Sequence, residues 1–375
     1  MNNSSRPRVV SLFSGCGGMD LGFHQAGYEI VWANDVDPDA CETYRRNIGE
    51  IVEGDIAEIG LPSLRDVDVL TSGFPCQPFS NAGSRKGVMD PRGRLYENTM
   101  EFISALRPKA VVLENVRGLL STKVDDQRLI EVMQGRLQGM GYHVSYRLMN
   151  FSHFGVPQNR IRVVVIALLD GDLLPHAFPT ITVGKDLSLR ATLDGLTPKT
   201  PNQLELMRLN PQALHYGAMI PPGGSWKSLP YDILPERWKK IRNDMPRYHY
   251  PNFFRRYAEH EISGTITAAF KPENAGVWHP IEPRIFSVRE IARIQTFPDD
   301  FVFEGRTIRS KYQQIGNAVP PLMAFQIARQ LRKVLAGEEI GRGCDLPESH
   351  ELNVNRPIEY QSVDILNRLK ILATA

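Results

Sequence analysis

The feature of this sequence that most constrains its fold is a regular alternation of short apolar runs with helical patterns, over residues 8–170. Six runs are typical of buried strands, at residues 8–13, 29–34, 67–71, 110–113, 144–150 and 162–168. Helical periodicity or helix-start signals lie between them, at residues 38–47, 96–106 and 129–140. This alternation predicts an α/β fold, a doubly wound and mostly parallel sheet with helices on both faces.

The pattern changes after about residue 175, where proline becomes frequent and periodicity is poor. We expect a first domain at residues 1–175, completed by 310–375, and a separate irregular domain at 176–285. A connecting hinge is expected at 286–309, where Ser287 and Glu290 form a capping-box pattern at a helix start. The last clear helix ends at Gly337 and has one apolar face, formed by Leu322, Phe325, Ala328, Leu331 and Leu335.

Composition excludes several classes of protein. The chain has 375 residues, of which 42% are hydrophobic and 23% charged, as in a soluble globular protein and unlike disordered or fibrous chains. No apolar run reaches ~18 residues and the first ten residues are polar and basic, so neither a membrane span nor secretion is expected. Four widely spaced cysteines favour a reducing compartment, without a zinc site, and predict a cytoplasmic protein. The net charge of +2 argues neither for nor against nucleic acid.

A glycine-rich loop follows the first predicted strand. Its glycines are Gly15, Gly17 and Gly18. Asp35 ends the second strand, where a carboxylate suits the hydroxyls of a ribose, and Asp55 could accept from an adenine amino group. Asp20 stands where the dinucleotide fingerprint needs glycine, so a cofactor without a pyrophosphate fits better. The alternative interpretation, left open at this point, is that this loop is an ordinary glycine turn of an α/β fold.

Three further segments carry groups suited to chemistry. Cys76 lies between two prolines in a loop after a strand, where a thiolate could act as a nucleophile. Glu114 ends the next strand and therefore points to the same edge of the sheet. Arg160 and Arg162 alternate along a strand and could grip a carbonyl oxygen or a phosphate on one side of it. A buried structural cysteine, a capping carboxylate and surface arginines are the alternatives.

Together these segments resemble the cytosine-5 DNA methyltransferase family of bacteria and phages. The matching blocks are residues 13–18, 75–77, 114–116, 158–162 and 316–317, in the family's order. The resemblance covers residues 8–170 and about 285–335. It implies a Rossmann-like methyltransferase fold that uses S-adenosylmethionine, with the variable region at 176–285 as a target-recognition domain.

The resemblance also assigns roles to residues. The cofactor-contact positions are Phe13, Asp35, Val36, Asp55, Ile56, Pro75 and Asn317. The Cys76 thiolate would attack carbon 6 of a flipped-out cytosine, and Glu114 would hold a proton at ring nitrogen 3. Arg162, supported by Arg160, would stabilise the carbonyl of the base.

Basic residues in two regions are expected to contact duplex DNA. A glycine-punctuated loop after Cys76 carries Ser80, Arg85, Lys86 and Arg92. The middle domain carries Arg237, Lys239, Lys240, Arg242, Arg255 and Arg256, interleaved with aromatic residues. Ordinary solvated surface charge is the alternative for each of them.

Rival functions share parts of this pattern. A tRNA cytosine-5 methyltransferase of the same fold remains open, although those relatives carry a smaller variable domain. A catalytically inactive DNA-binding module is a second alternative, and the broken glycine fingerprint argues against a nucleotide-dependent oxidoreductase. We expect a monomer acting on double-stranded DNA, and we leave open a cognate restriction endonuclease that acts separately.

Overall fold

The computed structural model describes residues 6–75, 95–124, 126–182, 184–244, 252–272 and 275–338. Within these ranges the strands are β1 (Arg8–Leu12), β2 (Glu29–Asp35), β3 (Val52–Glu53), β4 (Val69–Ser72), β5 (Ala110–Val116), β6 (Lys123–Val124), β7 (Gln127–Arg128), β8 (His143–Asn150), β9 (Gln158–Asn159), β10 (Ile161–Leu168) and β11 (Ser263–Gly264). The helices are α1 (Gly18–Gln25), α2 (Pro38–Asn47), α3 (Leu95–Leu106), α4 (Leu129–Gly139), α5 (Leu189–Leu193), α6 (Pro211–Met219), α7 (Glu236–Asn243), α8 (Val288–Ile294), α9 (Ile308–Asn317) and α10 (Pro321–Leu335). No helix in this part of the chain is long and apolar enough to cross a bilayer.

The main sheet has seven strands in the order β3-β2-β1-β4-β5-β10-β8. The first five of these strands run parallel, and β10 is antiparallel to both of its neighbours. The chain order reverses at β1, which lies between β2 and β4. In open α/β sheets the crevice at such a reversal, beyond the carboxyl ends of the strands, is where ligands bind. The predicted doubly wound, mostly parallel sheet is confirmed.

Both faces of the sheet are covered, because alternate residues of each strand point to opposite sides. One face packs against α1 and α10, and its strand residues include Val9, Val69, Val112 and Val164. The other face packs against α3 and α4, and its strand residues include Val10, Leu70, Val111 and Val163. Each such buried valine stabilises the fold by about 1.5–3 kcal/mol relative to an exposed one.

The helix α10 closes the first face by close contact with α1. A Cβ atom built on Gly22 would lie 2.5 Å from the carbonyl oxygen of Pro321 and from the nitrogen of Phe325. The buried side of α10 is formed by Pro321, Met323, Ala324, Ile327, Ala328, Leu331 and Val334. The predicted face is therefore correct at Ala328 and Leu331, whereas Leu322, Phe325 and Leu335 flank the buried stripe and are only partly covered.

A second core lies outside the sheet and includes the segment expected to be a hinge. Phe286, Ile291, Phe297 and Phe303 are all buried in it, together with aromatic residues of the irregular region. The predicted capping box is confirmed, since Ser287 accepts from the Glu290 N–H and Glu290 accepts from the Ser287 N–H. Residues 286–309, expected to be a connecting hinge, contain a capped helix and an apolar run that pack into this core.

The same segment is fastened to the sheet domain through α2. Thr43 Oγ1 accepts from the Glu304 N–H at 2.9 Å and donates to Gln314 Oε1 at 2.6 Å. The Asn47 side chain both donates to and accepts from the Val302 backbone, at 2.8 Å each. Reciprocal bonds of this kind fix the second core against the edge of the sheet domain that carries α2.

Candidate active site

The loop that leaves β1 has a backbone shaped for close approach by a ligand. Phe13, Gly15 and Gly17 all have positive φ angles, of 55°, 56° and 90°. Phe13 is not glycine, so this conformation stores strain of a kind concentrated at ligand sites. A Cβ atom built on Gly15 would meet nothing within 4 Å, and the loop therefore faces open space at that residue.

Asp35 at the end of β2 holds this loop. Its Oδ2 accepts from the Gly15 N–H at 2.7 Å, and its Oδ1 accepts from the Asp37 N–H at 2.9 Å. Burial raises the pKa of Asp35 above its usual value, and these two backbone donors oppose the shift. The structure thus brings together the glycine loop and the carboxylate that the sequence places 20 residues apart.

The remaining predicted cofactor positions that the structure describes lie at or near the same rim. Val36 is 63% exposed directly after Asp35, and Asp55 is exposed just beyond β3, whereas Ile56 is buried. Pro75 is exposed after β4, and Asn317 is exposed at the end of α9. Gly17 is the N-cap residue of α1, and a Cβ built on Gly18 would lie 2.4 Å from the Val319 carbonyl oxygen.

These residues fit a nucleoside ligand chemically. A carboxylate has lone pairs to spare after two backbone bonds, so Asp35 can also accept from ribose hydroxyls. Asp55 can accept from an exocyclic amino group, and the exposed Val36 offers an apolar surface to a base. The open space at Gly15 leaves room for the chain of atoms that joins such a nucleoside to the middle of the crevice.

Glu114 and Arg162 form an ion pair beside this crevice. They lie on the neighbouring antiparallel strands β5 and β10, and Arg162 Nε is 3.2 Å from Glu114 Oε1. Among the described residues, Oε1 is buried and accepts no hydrogen bond. Burial lowers the pKa of Arg162 and the charge of Glu114 raises it, so the guanidinium stays charged. The pair places a carboxylate with accepting capacity next to a fixed positive charge.

Asn115 links this strand to the loop that leads to Cys76. Its side-chain Nδ2 donates to the carbonyl oxygen of Phe74 at 2.9 Å, and both residues are buried. Asn115 was not among the predicted site residues, although its place beside Glu114 in the same matching block was an available signal. Five predicted site residues lie outside the described residues and stay predictions, namely Cys76, Ser80, Arg85, Lys86 and Arg92.

Arg160 is positioned differently from the expected pairing with Arg162. Its buried guanidinium donates to the carbonyl oxygens of Ile266 at 3.0 Å, Gly316 at 3.3 Å and Ala318 at 3.1 Å. Arg160 lies between β9 and β10 and belongs to neither strand, and its donors are used by carbonyl oxygens, although it is close enough to Arg162 and Glu114 for their charges to act on it. Its contacts join the end of α9 to the segment after β11.

Two glutamines complete this set of contacts: Gln158, which belongs to a matching block but was given no role from sequence, and Gln295, which was not predicted. Gln158 accepts from the Ile266 N–H at 3.1 Å, and its amide also donates to Gln295. Gln295 in turn donates to the carbonyl oxygens of Ile315 at 2.7 Å and Ala318 at 2.9 Å. Only the tertiary structure reveals their partners, which lie more than 100 residues from Gln158 along the chain.

The six basic residues expected to read DNA separate into two groups. Arg237 and Lys240 are exposed one turn apart on α7. The other four are engaged within the protein. Lys239 bonds Glu236 at 2.9 Å and Arg242 bonds the Leu229 carbonyl at 2.9 Å.

Arg255 and Arg256 belong to that second group. Arg255 bonds the Gly224 carbonyl at 3.0 Å and pairs with Glu261. Arg256 is 5% exposed and donates to four backbone carbonyls, among them those of His279 at 2.9 Å and Ile220 at 3.0 Å. Its position departs from that expected of a DNA contact, because the guanidinium is buried and its donors are used by carbonyl oxygens of the protein. The neighbouring Phe253, Phe254 and Tyr257 are buried in the second core.

Comparison with known proteins gives consistent matches along the chain. A sequence model of the C-5 cytosine-specific DNA methylase family matches residues 7–333. The Type II methyltransferase M.NgoFVII of Neisseria gonorrhoeae is 38% identical over 357 residues, which cover 89% of this chain and 89% of that protein. The Type II methyltransferase M.Eco47II of Escherichia coli is 35% identical over 348 residues, covering 87% and 79%. Among solved structures, the Dnmt2 methyltransferase of S. pombe has a similar fold, with a TM-score of 0.56, 21% identity and coverage of 88% and 99%.

Proposed function

Because this chain belongs to the C-5 cytosine-specific DNA methylase family, we propose that it flips one cytosine of a specific duplex sequence into the crevice above β1, β4 and β5, with Cys76 as nucleophile. The enzyme transfers a methyl group from S-adenosylmethionine to carbon 5 of cytosine in DNA. The tRNA methyltransferase and the inactive binding module are not favoured by these relatives.

The observation that carries the proposal is the position of Glu114. It lies in β5, two residues before the end of the strand and 3.2 Å from Arg162, and the next residue bonds the carbonyl of Phe74, two residues before Cys76. The ion pair and the loop that leads to the nucleophile therefore share one edge of the sheet. A cytosine ring placed there can meet a carboxyl group, a guanidinium and a thiolate together.

The chemistry requires the protein to make carbon 5 nucleophilic. The Cys76 thiolate adds to carbon 6, and the electrons of the 5,6 double bond move towards carbon 5. Glu114 protonates or hydrogen-bonds ring nitrogen 3, and Arg162 stabilises the carbonyl oxygen, so that charge does not accumulate on the ring. When bound, S-adenosylmethionine supplies a methyl group activated by a positive sulfur. Loss of the carbon-5 proton then re-forms the double bond and expels the thiolate, with water as an available base.

We assign cofactor binding to the loop after β1, with Asp35 for the ribose hydroxyls and Asp55 for the adenine amino group. Phe13, Val36, Ile56, Pro75 and Asn317 complete the proposed pocket. Arg160 acts as a positioning residue, since its three carbonyl partners fix the end of α9 near Asn317. Arg237 and Lys240 are the proposed phosphate contacts on α7.

We propose that residues 176–285 choose the DNA sequence and that the protein acts as a monomer in the cytoplasm. Its relatives are named Type II methyltransferases, which supports a cognate endonuclease that cuts the same sequence and acts separately. Exchange of residues 185–280 with a relative's segment tests the first point. The methylated sequence should follow the exchanged segment, and an unchanged sequence would place the reader elsewhere.

The nucleophile assignment is tested with Cys76→Ala and with 5-fluorocytosine in duplex DNA. Bisulfite sequencing of DNA from cells that express the wild-type chain first gives the target sequence. The variant should transfer no methyl group while keeping the melting temperature of the wild type, and Cys344→Ala, outside the matching blocks, should retain activity. Since fluorine cannot leave carbon 5 as a cation, the wild-type enzyme should form a stable adduct. Turnover by Cys76→Ala, or no adduct at the correct sequence, would contradict the assignment.

A further inference from the structure

Asp20 is a buried carboxylate that the reaction above does not use. It lies in the first turn of α1 and is fully buried. Its Oδ1 accepts from Ser11 Oγ at 2.6 Å, and its Oδ2 accepts from Tyr44 OH at 2.8 Å. Burial raises the pKa of Asp20 to about 6, although its hydroxyl donors oppose the shift. The chain therefore keeps a charge inside the protein at neutral pH, at a cost in stability.

The hydrogen bond from Tyr44 to Asp20 is one arm of this arrangement, and it supports the Gly17 end of the proposed cofactor loop. The Tyr44 ring lies under Gly17, since a Cβ atom built on that glycine would be 2.9 Å from Tyr44 Cδ2. The hydroxyl of the ring is fixed by Asp20. Ile48 Cδ1 lies nearer still to that Cβ position, at 2.1 Å, so Tyr44 and Ile48 together form the surface under Gly17, and Asp20 fixes the Tyr44 part of it.

The hydrogen bond from Ser11 to Asp20 is the other arm, and it supports the Ser14 end of the same loop. Ser14 Oγ lies 2.8 Å from Ser11 Oγ, which itself donates to Asp20. Ser14 also accepts, through its carbonyl oxygen, from the Gly17 N–H at 2.9 Å. Both arms thus end on the stretch from Ser14 to Gly17, and Gly15, which faces open space, lies between them.

We propose that Asp20 is a positioning residue for the binding of S-adenosylmethionine. Asp20 holds both ends of the Ser14–Gly17 loop, one through Ser11 and the other through Tyr44. The inference rests on the proposed cofactor site at this loop. Asp20 itself does not touch the cofactor. Its ionised form accepts two strong hydrogen bonds at once, which an amide cannot do without turning its own donor towards a hydroxyl.

The test measures cofactor binding by titration calorimetry, without DNA. Asp20→Asn should raise the Kd for both S-adenosylmethionine and S-adenosylhomocysteine by about tenfold, which equals about 1.4 kcal/mol. Because the loop is displaced and no charge contact is lost, the two ligands should weaken equally. The KM for DNA and the kcat at saturating cofactor should change less than threefold. The melting temperature at pH 7.5 should be equal to or above that of the wild type, because a buried charge has been removed.

Two single-arm variants keep the inference testable if Asp20→Asn folds poorly. Tyr44→Phe and Ser11→Ala should each weaken cofactor binding by about threefold, and neither should add its full effect to that of Asp20→Asn. Tyr28→Phe is the matched control, since it removes a buried hydroxyl that bonds the Ala328 carbonyl at 3.2 Å, away from the loop. It should leave cofactor binding unchanged.

The outcomes separate this inference from the proposed function. Cofactor affinity within twofold of the wild type in Asp20→Asn and Tyr44→Phe would overturn the role of Asp20, while the wild type continues to methylate DNA. Cofactor binding that falls only in proportion to a lowered melting temperature would also overturn it. Failure of the proposed function would instead appear as a wild-type enzyme that binds the cofactor and transfers nothing.

Discussion

Arg162 Nε lies 3.2 Å from Glu114 Oε1 across the antiparallel strands β5 and β10, and the two side chains are 13% and 11% exposed. Little water reaches the pair, so the attraction between the charges is screened less than at the surface. The position of the carboxyl group is therefore set by a strand and by a neighbouring charge together. Both are in place before any substrate arrives.

Replacing Glu114 by glutamine tests what this carboxyl contributes. Glu114→Gln should lower kcat by about 10²–10⁴-fold, the usual contribution of a positioned acid or base. Cofactor affinity should stay within twofold, since Glu114 lies outside the proposed cofactor pocket. Single-turnover methylation of duplex DNA measures the loss. The matched control is Glu53→Gln, which breaks an exposed pair with Arg45 at 3.1 Å and should leave the rate unchanged. A rate equal to that of the wild type in Glu114→Gln would remove Glu114 from the mechanism.

The two arginines of the 158–162 block should respond differently to lysine. Arg160→Lys should lower the free energy of unfolding by roughly 3 kcal/mol or more, because a single ammonium cannot reach three carbonyl oxygens. Arg162→Lys should lower kcat with a smaller loss of stability, since Arg162 pairs with one carboxylate and donates to one carbonyl oxygen, that of Ile161 at 2.8 Å. Urea unfolding and single-turnover rates distinguish the two. Equal effects of both substitutions would show that they share one role.

Asp35 predicts a dependence of cofactor binding on pH. Burial raises its pKa, so on acidification the carboxyl takes up a proton at a higher pH than an ordinary aspartate does. The neutral form is a poorer acceptor for ribose hydroxyls, and affinity for S-adenosylmethionine should fall as the pH falls. Asp35→Asn should weaken binding by about tenfold at pH 7.5 and should reduce this dependence, leaving the part that Asp20 contributes as its carboxyl takes up a proton near pH 6. Calorimetric titrations between pH 5 and 8 measure both. A variant with the same pH profile as the wild type would assign the dependence to another group.

The exposed charges of α7 predict a salt effect. Replacing Arg237 and Lys240 by alanine should weaken DNA binding at every sequence and reduce the slope of log affinity against log salt by about 2. The control is the double alanine variant of Arg329 and Lys333, which are exposed on α10. Fluorescence anisotropy with duplex DNA at several salt concentrations gives the slopes. If the α7 variant keeps the wild-type slope, the phosphate contacts lie on another surface.

Much of the sheet domain could be predicted because its signals are local. The helix expected at residues 38–47 is α2 with the same bounds, where a proline lies at the start and Asp37 accepts from the Asp39 N–H. The strand expected at 29–34 ends one residue later, at Asp35. The meeting of Gly15 and Asp35 follows from where two neighbouring parallel strands end.

The rest depends on contacts between distant parts of the chain. The partners of Arg160 lie 106 to 158 residues further along, so no local pattern could separate its role from that of Arg162. The burial of Arg256 depends on carbonyls at positions 220, 279 and 281. Residues 286–309 read as a link because they follow an irregular region, and only the aromatic side chains around Phe297 reveal them as part of a core.

The close contact between Gly22 and the turn of α10 at Pro321–Phe325 has a consequence for synthesis of the chain. Strands β1 to β5 leave the ribosome long before α10, the helix that covers one of their faces. The nascent protein therefore carries an uncovered apolar surface for most of its translation, a state exposed to aggregation. A ribosome stalled before residue 321 should hold a chain that binds general chaperones, and release of α10 should end that binding.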